Sequence, residues 1–277
     1  MVYAIENEYL RVEIDSFGAE LKRVFLKKVR RDVLYDGKGA WDHSDLVLFP
    51  VIGANNEYSL NGVSYRVATR HGFAFRKQFR VLGKGSDTIR FGIEEDEETL
   101  KEYPFSFSFE LEYRLEGLTL LRLAKVRSKL RNRIVFQYGT HPAFKVDFAN
   151  AKLHVSKGTA LYVLENGIIK RQVPWPHQEN WLIDPSEITA RDTYVIDNPH
   201  HEILLENGMG QSVECRYNSP YIAIWTPGRG EENDFLCIEP WYGISPYAGM
   251  DKDLSKRMCV QETMEEQCFE DEIAFCS

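Results

Sequence analysis

Three short motifs combine a reactive side chain with aromatic and turn-forming residues. They are Arg70-His71-Gly72-Phe73-Ala74-Phe75-Arg76, Tyr138-Gly139-Thr140-His141-Pro142-Ala143-Phe144 and Ile238-Glu239-Pro240-Trp241-Tyr242-Gly243. One carboxylate and two imidazoles could supply a general base, a general acid and a hydrogen-bond donor near neutral pH. The candidate functional residues are therefore His71, His141 and Glu239.

Glu239 follows an apolar run at 235–238, which predicts that it lies at the end of a buried strand. Burial raises the pKa of a carboxylate and makes it a stronger base. Pro240 has no amide hydrogen and is expected to end the strand pairing. Trp241 and Tyr242 offer flat faces with polar edges, which suit a sugar ring. The alternative interpretation is a glutamate that only forms a structural ion pair or a turn.

Each histidine stands beside a residue that shapes the backbone. Gly72 after His71 lets the backbone approach a ligand closely. Pro142 after His141 predicts a rigid turn at the end of a strand. A lone histidine is more often a structural residue, and the spacing alone does not show that the two histidines and Glu239 converge.

Other catalytic arrangements find no support in the motifs. No Gly-x-Ser-x-Gly elbow is present for a Ser/His/Asp triad, and no glycine-rich phosphate loop occurs. His200 and His201 are adjacent, so on a strand they would point to opposite faces and chelate a metal poorly. The five cysteines form no CxxC pair, which indicates neither a structural zinc site nor a disulfide framework.

Composition places the chain among globular proteins with an ample core. The 277 residues are 43% hydrophobic and carry a formal net charge of -8, and the pI is about 5.5. The longest basic run, at 27–31, is short and is expected to be a solvated turn, so a nucleic-acid partner is disfavoured. The first residues lack the pattern of a signal peptide, and no apolar stretch is long enough to span a bilayer. We therefore expect a cytoplasmic protein with no membrane partner.

Many short strand-like segments separated by Gly, Asn and Pro turns predict an all-β protein. The clearest alternation of apolar and polar residues lies at 105–113, and Asn61-Gly62 and Asn166-Gly167 are hairpin signals. The apolar run at 46–53 predicts a strand with an edge or a bulge at Pro50. With no linker or repeat in the sequence, we expect a single-domain antiparallel β-sandwich over residues 1–277.

The order and spacing of these motifs resemble those of the aldose 1-epimerase (galactose mutarotase-like) superfamily, and within it the LacX-like proteins. The resemblance runs nearly end to end. It is carried by Glu6-Asn7-Glu8-Tyr9-Leu10, Phe17-Gly18-Ala19-Glu20-Leu21, Leu48-Phe49-Pro50-Val51-Ile52-Gly53, His71-Gly72-Phe73-Ala74, Tyr103-Pro104-Phe105, Gly139-Thr140-His141-Pro142-Ala143-Phe144, Trp225-Thr226 and Cys237-Ile238-Glu239-Pro240-Trp241.

The resemblance implies a β-supersandwich with an open cleft on one sheet, and an enzyme that interconverts the α and β anomers of a free aldose without a metal or cofactor. Glu239 would be the base at the C1 hydroxyl and His141 the acid at the ring oxygen. His71 would donate a hydrogen bond to the sugar. Further substrate contacts are expected from Arg76, Asp192 and Trp241, although for Asp192 an ordinary turn aspartate is the alternative.

The chain also departs from the pattern of this superfamily. Phe75 stands where related sequences usually have an arginine, and Arg76 follows one place later, which on a strand would turn its side chain to the other face. Residues 43–45 (His-Ser-Asp) and 54–56 (Ala-Asn-Asn) stand where basic residues are common.

These departures leave the identity of the sugar open. A non-catalytic carbohydrate-binding or regulatory protein on the same fold is the alternative function. A hydrolase with paired carboxylates is a third, but no motif nominates its second acid. The sequence is compatible with a monomer or a homodimer.

Overall fold

The computed structural model describes residues 1–53, 57–156, 159–165, 168–188, 193–227, 234–245, 252–257 and 260–276. Most of its regular structure is short β-strands, together with a helical turn α1 (Thr99–Glu102) and 3-10 segments at Ala74–Arg76 and Leu254–Lys256. In chain order the strands are β1 (Val2–Glu6), β2 (Leu10–Asp15), β3 (Glu20–Leu26), β4 (Arg31–Asp32), β5 (Val47–Leu48), β6 (Glu57–Leu60), β7 (Val63–Arg66), β8 (Arg80–Lys84), β9 (Thr88–Glu94), β10 (Phe107–Glu116), β11 (Thr119–Ser128), β12 (Ile134–Phe136), β13 (Tyr138–Thr140), β14 (Ala143–Lys145), β15 (Lys152–His154), β16 (Ala160–Glu165), β17 (Ile168–Pro174), β18 (Asn180–Leu182), β19 (Tyr194–Asp197), β20 (Glu202–Glu206), β21 (Ser212–Tyr217), β22 (Tyr221–Trp225), β23 (Phe235–Tyr242), β24 (Gln261–Thr263) and β25 (Glu266–Cys276). Within these ranges no helix is long and apolar enough to cross a membrane.

Two large antiparallel sheets dominate the architecture. The first has nine strands in the order β18-β15-β20-β21-β25-β11-β10-β9-β8, and the second has the order β17-β16-β19-β22-β23-β13-β5, with β14 also paired to β23. Rings from the two sheets meet between them, as in the Tyr138–Phe269 pair with centroids 5.0 Å apart. The all-β, antiparallel fold class predicted from the sequence is confirmed.

The strands form where apolar residues alternate with polar ones. In β10 the buried positions include Phe107, Phe109 and Leu111, and the residues between them are less buried. Successive side chains on a strand point to opposite faces, so this alternation places one face of β10 in the core. At the predicted hairpin, Asn61 and Gly62 both have positive φ between the paired strands β6 and β7.

Strand β23 is buried along its whole length because it is covered on both faces. Leu236 and Ile238 belong to the main core, whereas Cys237 and Trp241 pack in separate clusters on the other side. By the two-residue period of a strand, Glu239 shares the face of Cys237 and Trp241. That second face is where the candidate site lies.

The prediction that Pro240 ends the strand pairing is wrong. Strand β23 continues to Tyr242, and Pro240 pairs in register with Ile222 of β22. On its other side β23 is flanked by β14 and then β13, with a break between them. The amide of Ile238 donates to Pro142 at 3.2 Å on that side, so the missing amide hydrogen of Pro240 falls at the break and no ladder bond is lost.

The apolar run at 46–53 forms a much shorter strand than predicted, since β5 covers only Val47–Leu48. The backbone of Phe49 instead bonds with the segment that carries His71. Phe49 N–H donates to the His71 carbonyl at 3.2 Å, and the Phe49 carbonyl accepts from Phe73 N–H at 2.9 Å. The hairpin signal Asn166-Gly167 lies outside the described residues, although the flanking strands β16 and β17 pair as expected.

Candidate active site

The structure brings His71, His141 and Glu239 together on the second face of β23, the face that carries Cys237, Glu239 and Trp241. His141 Nε2 lies 3.1 Å from Glu239 Oε1, and the indole N–H of Trp241 donates to Glu239 Oε2 at 3.0 Å. The ring of His71 has its centroid 5.8 Å from that of His141 and 6.0 Å from that of Trp241. Three motifs separated by up to 168 positions in the numbering (71 to 239) thus meet at one place.

The break between β13 and β14 positions His141. Gly139 pairs with Trp241 and Ala143 pairs with Cys237, so residues 140–142 leave the ladder opposite Glu239. His141 emerges from this gap with Pro142 behind it, which confirms the predicted strand-end location. A carboxylate and an imidazole are therefore held face to face by backbone pairing on both sides.

A buried ion pair anchors the main chain of His141. Asp45 Oδ1 accepts a hydrogen bond from His141 N–H at 2.8 Å, and the other oxygen of Asp45 pairs with the guanidinium of Arg122 on β11. The two side chains are 1% and 2% exposed. Burial raises the pKa of Asp45 to about 6 although Arg122 acts in the opposite direction. Asp45 thus connects the site to the nine-stranded sheet.

His71 is held by its own backbone in an uncommon conformation, with φ of 63°. Its N–H donates to the Gly53 carbonyl at 3.1 Å, and its Nδ1 accepts from Gly53 N–H at 3.3 Å. Since Nδ1 is an acceptor, the neutral ring carries its proton on Nε2. Burial lowers the pKa of His71 to about 4, so at neutral pH the ring offers an uncharged N–H donor.

Burial acts on Glu239 and His141 in opposite directions. It raises the pKa of Glu239 well above its usual range, against the hydrogen bond from Trp241. It lowers the pKa of His141 well below its usual range. Both shifts favour uncharged groups, a carboxylic acid at Glu239 and a neutral imidazole at His141, and Glu239 Oε1 and His141 Nε2 lie only 3.1 Å apart. Such a pair can deliver a proton at one atom while accepting one at another.

An aromatic wall covers the pair, and the sequence interpretation missed most of it. The Trp41 ring lies 4.7 Å from the His141 ring and 5.9 Å from the Trp225 ring, and Trp225 lies 5.7 Å from His141. Trp225 appeared only as part of the family resemblance. One feature of the sequence could have indicated Trp41: it is a large aromatic residue close to a histidine, His43, in an otherwise polar loop. Flat rings beside an acid–base pair are suited to the apolar face of a sugar.

Of the residues that stand where basic residues are common, His43 lies in this aromatic wall, and residues 54–56 lie outside the described residues. His43 lies 5.6 Å from Trp41 and 5.9 Å from Phe75 between ring centroids, and its Nδ1 is 3.6 Å from Glu20 Oε2. Glu20 also accepts from Ser44 N–H at 2.8 Å. Sequence reasoning did not nominate Glu20 or Asp45, although Asp45 precedes an apolar run, where a charged residue is unusual.

Arg76 lies on the 3-10 segment Ala74–Arg76 and not on a strand. The alternation of side chains along a strand therefore does not determine which way the Arg76 side chain points. Its guanidinium is 4.0 Å from Glu102, whereas Phe75 packs against the hydrophobic cluster that contains Trp241. A substrate contact by Arg76 stays a prediction. Asp192 lies outside the described residues, and its predicted contact is not addressed by the structure.

Position 72 requires a glycine because the backbone of Phe49, rather than a ligand, packs closely against it. A Cβ on Gly72 would lie 2.0 Å from the Phe49 carbonyl oxygen, whereas a Cβ on Gly62 would meet nothing within 4 Å. Their φ angles of +83° and +79° are alike, so left-handed strain of about 1–2 kcal/mol is common to both Gly→Ala changes.

We expect Gly72→Ala to lower the free energy of unfolding by about 1–3 kcal/mol more than Gly62→Ala, because only the first overpacks the backbone. Urea denaturation of both variants measures the difference. Equal losses would show that the Phe49 contact does not restrain this segment.

The fold and the sequence both match known proteins. A model of the family "Aldose 1-epimerase" matches residues 1–252. The protein LacX (chromosomal) of Lactococcus lactis subsp. lactis is 21% identical over 271 residues, covering 88% of this chain and 89% of LacX.

Two solved structures are similar over nearly the whole chain. A galactose mutarotase related enzyme from Lactobacillus acidophilus has a TM-score of 0.92 at 23% identity, covering 100% of this chain and 98% of that one. A galactose mutarotase-like protein from Lactobacillus casei has a TM-score of 0.85 at 21% identity, covering 99% and 100%. With a family match over most of its length and a galactose mutarotase-like, LacX-like fold, the chain belongs to the aldose 1-epimerase family.

Proposed function

We propose that the protein interconverts the α and β anomers of a free aldose. The observation that carries this proposal is the buried Glu239–His141 pair, whose Oε1 and Nε2 atoms lie 3.1 Å apart. Ring opening of a hemiacetal needs a base at the C1 hydroxyl and an acid at the ring oxygen, two oxygens bonded to the same carbon. A carboxylate and an imidazole this close can serve both at once.

In the proposed reaction Glu239 takes the proton of the C1 hydroxyl as the bond between C1 and the ring oxygen breaks. His141 gives its proton to that oxygen, and the open-chain aldehyde forms. Rotation about the C1–C2 bond exposes the other face of the aldehyde. The ring closes with the roles reversed, so Glu239 returns its proton to O1 and His141 regains the one it gave.

The two protonation states of the pair are the start and the end of ring opening. Before ring opening the pair is charged, with Glu239 as carboxylate and His141 as imidazolium. After ring opening both groups are uncharged. Because burial favours the uncharged arrangement, it stabilises the state in which the sugar is open. His71 would hold the sugar through its Nε2–H, and Trp241 and Trp41 would bound its apolar face.

We expect the protein to accelerate the relaxation of freshly dissolved α-D-glucose or α-D-galactose, or of another free aldose in a panel of hexoses and pentoses. General acid and general base steps each contribute roughly 10²–10⁴-fold, so catalysis should exceed the buffer rate clearly. Polarimetry or NMR exchange measures the rate. Relaxation at the buffer rate for every sugar that binds would instead support the carbohydrate-binding alternative.

A further inference from the structure

The second face of β23, which carries Glu239, also carries a thiol that the proposed ring opening does not use. Cys237 stands two residues before Glu239 and is fully buried, so the strand period directs both side chains to the same side. Cys237 pairs in register with Ala143, just beyond the gap from which His141 emerges. A thiol, an imidazole and a carboxylate are thereby gathered at one point.

The three potential ligand atoms lie within 4.8 Å of one another. Zinc is bound by cysteine at about 2.3 Å and by histidine or carboxylate at about 2.0–2.2 Å, which in a tetrahedral site places ligand atoms about 3.3–3.8 Å apart. The most widely separated of these atoms would therefore need to approach by up to about 1 Å, whereas His141 Nε2 and Glu239 Oε1 are already 3.1 Å apart. Side-chain rotation on two backbone segments can supply a movement of that size.

A second observation points to a ligand at this place. Glu239 Oε1 is buried and makes no hydrogen bond within the described residues, because its approach to His141 Nε2 is close but not aligned. Buried polar atoms in folded proteins nearly always have a partner. This oxygen is thus directed at a position that a cation or a sugar hydroxyl would fill.

We propose that Cys237, His141 and Glu239 form a binding site for Zn²⁺, and that the bound ion blocks the sugar site. The thiol would lose its proton to solvent as the zinc–sulfur bond forms, and a water would complete the tetrahedron. Thiolate, imidazole and carboxylate together suit zinc better than the harder Mg²⁺ or Ca²⁺. The ion would occupy the two side chains on which ring opening depends.

Binding of the ion rests on the geometry alone, whereas inhibition rests on the proposed function. The first experiment therefore measures binding by titrating the whole protein with Zn²⁺ against a chromophoric chelator. We expect one tight site per chain, weakened at least about 100-fold in Cys237→Ser, since even supporting groups around a metal contribute 10–100-fold. Cys237→Ala is the second variant if the serine protein does not fold.

Cys268→Ser is the matched control, because Cys268 is an exposed thiol lying 3.7 Å from the carboxylate of Glu266. It should leave zinc affinity unchanged. Titration with Co²⁺ provides a direct signature, a thiolate-to-metal absorption band that is present in wild type and Cys268→Ser and absent in Cys237→Ser. Tight binding that survives the loss of the Cys237 thiol would overturn the proposal.

The second experiment compares turnover with and without Zn²⁺ in each variant. We expect stoichiometric zinc to abolish wild-type turnover, a chelator to restore it, and Cys237→Ser to resist zinc at the same concentration. Equal sensitivity of wild type and Cys237→Ser would contradict the blocking role. If zinc binds through Cys237 but no aldose is turned over, the metal site stands and the proposed mutarotase function fails, so the two failures are distinguishable.

Discussion

Glu239→Gln is expected to lower the turnover number for anomer interconversion by about 10²–10⁴-fold, the usual contribution of one positioned proton-transfer group. Glutamine has nearly the same shape, and its amide oxygen can still accept the hydrogen bond that Trp241 donates at 3.0 Å. It cannot take the proton from the C1 hydroxyl. The change therefore removes the proposed base and keeps the packing of β23.

The matched control is Glu206→Gln. Glu206 also pairs with a histidine, since His154 Nε2 lies 2.9 Å from its carboxylate, but this pair is on the nine-stranded sheet and partly exposed. We expect it to leave turnover within a factor of about two, as for a surface pair of small energetic weight. Polarimetry gives the rates, and NMR titration shows whether the sugar still binds. Full activity in Glu239→Gln would remove this residue from the mechanism.

Arg122→Met is expected to destabilise the protein by about 3–5 kcal/mol, the loss observed when one partner of a buried ion pair is removed. Methionine fills much of the space of the arginine stem but leaves Asp45 as an unpaired buried carboxylate. Asp45 also receives the His141 N–H at 2.8 Å. The change should therefore reduce turnover as well as stability, because His141, the proposed acid, loses the ion pair that holds its main chain.

Arg127→Met on the same strand provides the control. Its partner Glu266 and Arg127 itself are both partly exposed, and exposed pairs contribute about 0–1 kcal/mol. Urea denaturation monitored by circular dichroism compares the two variants. Adding Asp45→Asn to Arg122→Met should recover much of the lost stability, since position 45 then carries no unpaired charge. Equal losses in Arg122→Met and Arg127→Met would contradict this account of the buried pair.

Much of the fold is readable from the sequence because it depends on local pattern. The alternation at 105–113 predicted β10, and Asn61-Gly62 predicted the β6–β7 hairpin, since left-handed backbone at both turn residues favours Asn and Gly. Residues 27–30 of the basic run form the predicted turn between β3 and β4, and Arg31 begins β4. Two-residue periodicity and turn chemistry are properties of neighbouring residues, so no distant partner is needed to interpret them.

Where the outcome depended on a partner strand, the sequence interpretation was wrong. Pro240 was expected to end the ladder, but the break between β13 and β14 leaves its missing amide hydrogen without consequence. The run at 46–53 was expected to be a strand with an edge or a bulge at Pro50, but β5 covers only Val47–Leu48 and Phe49 bonds to the His71 segment instead. A residue's own propensity does not specify which backbone groups face it from elsewhere in the chain.

By itself the sequence determined the all-β class and the family, and it nominated His71, His141 and Glu239 as the residues that could carry chemistry. Only the tertiary structure decided that they converge, that Trp41 covers them, and that Asp45 and Arg122 hold the main chain of His141. It also placed the Cys237 thiol beside the acid–base pair. The physical reason is that a strand's period determines which face a side chain occupies, whereas sheet register and burial determine what it meets there and how its pKa shifts.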